Sequence, residues 1–158
     1  MKWFPSYRAL PISTVGEIHA DFVRFNNDIR RPLNDEQVAE LGIGYRMAFS
    51  MVLAGQSTAE NWAMIVCSLN IGLILSEWGM GIEHCDLFKA ALEGASRAKY
   101  RGDKTGKYGF DGAAIQAIQD AFDVHEAQIQ IATKRDLVAA VKEVHRRAEA
   151  GIAYREAA

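Results

Sequence analysis

The residues with the most chemical potential lie between positions 97 and 107. Arg97, Lys99, Arg101, Lys104 and Lys107 stand against Asp103 alone, a local charge of +4, and Tyr100 and Tyr108 interleave with them. Gly102 and Gly106 lie within the same stretch and Gly109 just after it, before a new helical pattern opens at Asp111. A glycine loop feeding a helix N-terminus offers backbone N–H groups to a phosphate or another anion. The plainer reading is a solvated helix end whose cations complement the dipole, followed by an ordinary loop. We place the plainer reading first and keep Arg97, Arg101, Lys104, Lys107 and Tyr108 as the candidate partner- or anion-binding residues. The string is not a nucleotide-binding P-loop. That motif needs four residues between its glycines and a Ser or Thr after its Lys; here three residues separate Gly102 from Gly106, and Tyr108 follows Lys107.

A second basic run, Lys134, Arg135, Lys142, Arg146 and Arg147, is offset by Asp136, Glu143 and Glu149. It reads as a solvated helix face, and a nucleic-acid role would need it to merge in space with the first run. His84, Cys85 and Asp86 are adjacent, whereas ligands on a helix need a spacing of three or four to share a face. No Glu-x-x-His pair and no Gly-x-Ser-x-Gly elbow occur in the chain. His125 falls on an apolar stripe and is expected to be a hydrogen-bonded core residue. Asn70, between Leu69 and Ile71, is expected to cap or cross-link a neighbouring helix. The expectation is therefore no catalytic residue, no metal and no cofactor.

The elements that must position these residues are helices. With 158 residues, 49% hydrophobic and 24% charged, the chain is sized for one buried core. A formal charge of -2 gives no global field toward nucleic acid. Cys67 and Cys85, two thiols in apolar stretches, make neither a disulfide framework nor a zinc set, which fits a reducing cytoplasm. The first residues carry no long apolar core of a secretory signal. The most apolar run, Trp62 to Leu75, is interrupted by Ser68, Asn70 and Gly72; it falls short of the roughly 20 residues of a membrane helix and reads as a buried core helix.

Residues 1–13 hold Pro5, Pro11 and the rings of Trp3, Phe4 and Tyr7, an extended aromatic arm that needs a surface to lie on. Thr14 and Glu17 form a capping-box pattern, followed by Val15, Ile18, Phe22, Phe25 and Ile29 at helical spacing. Pro32 breaks that helix, and Asn34 with Gln37 caps the next, which runs over residues 35–54. Ser57 with Glu60 is expected to cap a third helix, ending at Gly79-Met80-Gly81. A fourth starts at Ile82, turns Cys85, Phe88, Leu92 and Ala95 inward and is expected to stop at Gly102. Asp111 caps a final stretch reaching Gly151. Its stripe slips near Thr133 and Asp136, so both a restart there and one bent helix are compatible with the pattern. Gly42, Gly44 and Gly72 sit mid-helix, where close backbone approach is the expected compensation. The fold class read from this is all-α: a single-domain antiparallel bundle of about five helices, with the arm at 1–13, the helical domain at 14–151 and a tail at 152–158.

Two segments taken together carry a resemblance: Arg31-Pro32-Leu33-Asn34-Asp35-Glu36-Gln37 through Asn61-Trp62 and Ser68-Leu69-Asn70, then Thr105-Gly106-Lys107-Tyr108-Gly109-Phe110-Asp111-Gly112 through His125-Glu126-Ala127-Gln128. Residues 31 to 150 resemble a family of small uncharacterised proteins carried by prophages, plasmids and integrative elements of proteobacteria. The resemblance implies a mobile-element accessory role, including interference with a host or defence protein, and brings no functional residue to any position. The functional expectation is a non-enzymatic helical module that binds another protein, or a second copy of itself. The alternative is nucleic-acid binding through the basic 97–107 segment, with a tyrosine stacked on bases. No membrane partner is expected.

Overall fold

The computed structural model describes residues 30–151. The arm with Trp3, Phe4 and Tyr7, the helix expected after Thr14, and the tail at 152–158 lie outside the described residues.

Among the described residues five α-helices follow one another: α1 (Asp35–Leu53), α2 (Ala59–Glu77), α3 (Cys85–Thr105), α4 (Gly112–Ile131) and α5 (Lys134–Ala150), with a 3-10 turn at Ile82–His84 leading into α3. Among the described residues there is no strand, only one isolated bridge between Pro32 and Thr133, beside which the Arg31 carbonyl accepts from the Lys134 N–H at 3.2 Å. The starts of α1, α2, α4 and α5 are side-chain caps satisfying N–H groups that have no partner inside the helix, whereas α3 follows the 3-10 turn without one. Asn34 Oδ1 accepts from the Gln37 N–H at 2.9 Å, and Gln37 Oε1 accepts from the Asn34 N–H at 3.1 Å. The cap of α2 falls one residue later than expected. Thr58 and Asn61, not Ser57 and Glu60, form the reciprocal pair, and Glu60 instead lies in the first turn, where its charge complements the dipole.

One boundary corrects the sequence reading, and another decides between the two alternatives it left open. α3 continues through Gly102 and stops at Gly106, whose φ of 73° suits glycine and whose N–H donates to the Gly102 carbonyl at 2.7 Å. Gly102 serves packing instead, because a Cβ there would lie 2.4 Å from the Tyr108 ring. The final stretch is two helices: Ala132 is extended, at ψ 140°, and Thr133 with Asp136 forms a capping box that starts α5 afresh.

Each of α1 to α4 packs against the next along the chain, and α1 also meets α4. Tyr45 meets the rings of Phe122 at 4.6 Å and His125 at 5.6 Å, while Phe49 meets Phe122 edge-on at 5.7 Å. The helix α2 is buried almost all round and packs against each of the other four. By length and composition it could cross a membrane, yet most of it is buried inside the bundle, as a core helix is. The last helix departs from the simple antiparallel scheme: α5 packs on α2 rather than along α4, because the extended Ala132 redirects the chain. Trp62, Phe88 and Phe122 are fully buried, and the Trp62 indole N–H donates to the Ala95 carbonyl at 2.7 Å.

Of the three mid-helix glycines, Gly72 alone shows the expected close approach. A Cβ there would lie 2.3 Å from the Phe88 ring, whereas at Gly42 and Gly44 it would make ordinary contacts at 3.7 Å. A second close approach was not anticipated: a Cβ on Gly94 would meet Ala114 Cβ at 2.4 Å, where α3 crosses α4.

Candidate functional site

The basic segment is the last two turns of α3 and the loop after it, and most of its cations are engaged within the chain. Arg97 pairs with Asp111 at 3.0 Å, and Lys99, mostly buried, pairs with Asp103. Arg101 donates to the Gly109 carbonyl at 2.7 Å. Lys104 donates to the Tyr100 hydroxyl and sits 3.9 Å from the centre of that ring; this ammonium holds the Tyr100 phenol below its ordinary value. Tyr108 lies on α3 at Gly102 and its hydroxyl donates to Asp103 at 3.2 Å, so its ring is packed rather than presented for stacking. Burial, and then the Asp103 carboxylate, push its phenol up.

An open depression of about 350 Å³ lies between Tyr100, Arg101, Lys104, Thr105, Lys107 and Gly109. It sits at the C-terminal end of α3, where carbonyls carry the negative end of the dipole, so its cations answer the helix itself. The start of α4 already carries its own carboxylate cap. Asp111 Oδ1 accepts from the Ala114 N–H at 2.9 Å, and the Arg97 guanidinium beside it holds that carboxyl below the usual carboxylate range.

The second basic run does not join the first. Arg147 pairs with Glu77 at the C-terminal end of α2 and with Glu143 at 2.7 Å, and Arg146 also pairs with Glu143. The basic depression lies toward the opposite end of α2, beyond the Trp62 to Ala95 contact. Together the two guanidiniums pull the Glu143 carboxyl down to about 2. Lys134 is buried rather than solvated, while Arg135, Lys142 and Arg146 are exposed.

The buried polar residues form a latch. Gln128 Nε2 lies within donating distance of the Gly72 carbonyl (3.1 Å), Ser76 Oγ (2.8 Å) and the Met80 carbonyl (2.9 Å). Its Oε1 is therefore the acceptor facing His125 Nδ1 at 3.3 Å, which assigns the proton of the neutral imidazole to Nδ1. Burial pushes His125 down to about 4. Sequence reasoning gave the cross-linking role to Asn70, but Asn70 Nδ2 donates to the Val66 carbonyl one turn back in its own helix, and Gln128 is the cross-link. Its signal was a glutamine three residues after a stripe histidine. Cys85 is half-buried, not a full core residue. Among the described residues no three of His, Cys, Asp and Glu come together as a metal set would require.

Apolar surface was the feature missed. Trp78, Ile82 and Ile131 are between 46% and 66% exposed, all at the end where the Gln128 latch fastens α4 to the turn after α2. Trp78 and Ile82 flank the Met80 carbonyl that Gln128 holds, and Ile131 stands one helical turn beyond Gln128. On α1, Ile43, Met47 and Met51 are between 40% and 62% exposed. The spacing of four made that second stripe legible, opposite the Leu41, Tyr45, Ala48 and Val52 stripe that fills the core. Comparison of the chain with protein-family models, with curated proteins and with solved structures finds no match.

Proposed function

We propose that this chain is a helical interaction module that acts by binding another protein, in the setting of a mobile genetic element, and that it meets its partner with the apolar end of the bundle. The observation that carries the reading is the exposure of Trp78, Ile82 and Ile131 at one end. Large apolar side chains grouped on a small domain mark contact surfaces, and tryptophan is the residue most enriched where binding energy concentrates. The latch beneath them supports a rigid platform: Gln128 fastens the α4 end to Gly72, Ser76 and Met80, so little ordering entropy is lost on binding. The resemblance of residues 31–150 to mobile-element proteins supports the setting and a host or defence protein as the class of partner, in a reducing cytoplasm. Binding rather than catalysis is favoured because the one buried histidine among the described residues is committed to the latch.

The test is affinity capture of the tagged chain from a bacterial lysate, with and without nuclease, beside a Trp78→Asp, Ile131→Asp variant whose helical content is unchanged. The expected result is a stoichiometric protein that survives nuclease and is lost, by tenfold or more, in the variant. Capture abolished by nuclease, or weakened by Lys104→Glu and Lys107→Glu instead, would overturn the reading in favour of nucleic acid at the basic segment.

A further inference from the structure

The five cations of residues 97–107 do not act as one group. Arg97 and Lys99 are neutralised by Asp111 and Asp103, and Asp103 also accepts from the Tyr108 hydroxyl. Arg101 and Lys104 meet only neutral acceptors among the described residues, the Gly109 carbonyl and the Tyr100 hydroxyl. Lys107 bonds through its backbone N–H to Thr105 Oγ1, and its side chain is exposed. These three, and not the paired two, line the open depression of about 350 Å³. The dipole of α3 places only about half a negative charge at this end of the helix, so most of their positive charge is left unmatched.

The walls of the depression narrow the class of ligand. They are almost wholly carbon: the Tyr100 ring and the stems of the long side chains, whose charged ends stand at the rim, as such side chains place them. A bare inorganic anion would leave those walls uncovered, and an uncharged apolar molecule would leave the rim unmatched. Tyr100 is 51% exposed and offers ring surface for stacking. The volume is that of a small-molecule site. A carboxylate, or a single phosphate with its charge of about -2, answers less of the rim than a di- or triphosphate does.

We propose that this depression binds a nucleoside di- or triphosphate, its base stacked on Tyr100 and its phosphates held at the rim by Arg101, Lys104 and Lys107. Stacking tolerates any base, so selectivity falls on the number of phosphates. The two lysines meet the phosphates as mobile point charges, whereas Arg101, already fixed on the Gly109 carbonyl, presents its remaining N–H groups in a set direction. The phosphates meet side chains and not a helix N-terminus, because Asp111 occupies the start of α4. The site lies away from Trp78, Ile82 and Ile131, so a nucleotide and a partner protein can be held at once.

The experiment is equilibrium dialysis of the full chain at low salt and without magnesium, against ADP, AMP, pyrophosphate and a short single-stranded oligonucleotide. ADP is expected to bind at one site per chain, about fivefold or more tighter than AMP or pyrophosphate. Tyr100→Ala is expected to weaken ADP by about fivefold or more and to leave pyrophosphate unchanged. Lys104→Glu with Lys107→Glu is expected to weaken both by about tenfold or more, whereas Arg135→Glu with Lys142→Glu, in the second basic run, should leave both within about twofold. All four positions are exposed, and circular dichroism checks that each variant keeps its helices. No ADP bound at millimolar concentration, ADP binding indifferent to Tyr100→Ala, or equal losses from the two pairs of charge reversals overturns the proposal. So does binding of the oligonucleotide alone, which would assign the depression to nucleic acid.

Discussion

At the residue scale, His125 and Tyr45 carry opposite lessons about buried polar groups. His125 is neutral in the fold and is held down to about 4 by burial, whereas an unfolded histidine takes its proton near 6.5. The unfolded state therefore binds more protons between those values. The contribution is intact above pH 6.5, falls as pH drops, and is fully lost by about pH 4, a total of about 3 kcal/mol. Urea unfolding at pH 7.0, 6.0 and 5.0 should show that slope, and His125→Gln should flatten it; Glu143, drawn down to about 2, acts only below the ordinary carboxylate range. Tyr45 is the reverse case. Its hydroxyl is buried without a well-formed hydrogen bond, and burial followed by the Glu126 charge pushes the phenol up to about 12 against the opposing Arg46 guanidinium beside it. Tyr45→Phe keeps the contacts with Phe122 and His125 and removes an unsatisfied group, so thermal melting should show a gain of about 1 kcal/mol. The sequence announced His125 as a core histidine through its place on the stripe. It could not name the partner, because Gln128 is one of several nearby polar side chains, and only the packing of α4 on α2 aims it at Gly72, Ser76 and Met80.

At the scale of elements, what was legible was local. Capping boxes at Asn34 and Thr133 are four-residue patterns and stand where they were read, whereas Ser57 and Thr58 offered two adjacent hydroxyls and the geometry used the second. Gly102 misled for a different reason: a glycine that ends a helix and a glycine that admits a ring look the same in sequence. Helix crossings were not legible, since they depend on which small residues meet. Gly94 is the clearest instance. Gly94→Ala would press a methyl to 2.4 Å from Ala114 Cβ and 3.0 Å from its Cα, so α3 and α4 must part, at a cost of about 1–3 kcal/mol. Chemical denaturation should register that loss, and adding Ala114→Gly should restore part of it; a double variant as unstable as the sum of the singles would show that the crossing is not the cause.

At the scale of the whole molecule, the candidate surfaces changed places. A count of charges over residues 97–107 sees five cations and one anion, but Asp111, fourteen residues from Arg97 in sequence, and the Gly109 carbonyl absorb two of them. The dipole of a 21-residue helix takes part of the rest. Exposed apolar side chains are harder to see in advance, since Trp78 and Ile131 sit beside stripes that are buried and look like their continuation. The all-helical bundle itself was legible, because the helical period recurs in each described helix and side-chain caps open four of the five. The route of α5 was not, because two residues at its start turn it from α4 onto α2.

The clasp between Arg31, Pro32, Thr133 and Lys134 joins chain positions about a hundred residues apart, and such a contact has a kinetic meaning. Closing so long a loop is entropically costly before the intervening helices have docked, so the clasp belongs to the last steps of folding and to the first of unfolding. Lys134 is the first helical residue of α5, a position that tolerates proline, and Thr133 before it is already extended. Lys134→Pro deletes the N–H that the Arg31 carbonyl accepts. In stopped-flow measurements it should speed unfolding several-fold and leave the folding rate nearly unchanged, whereas slower folding would place the clasp in the nucleus.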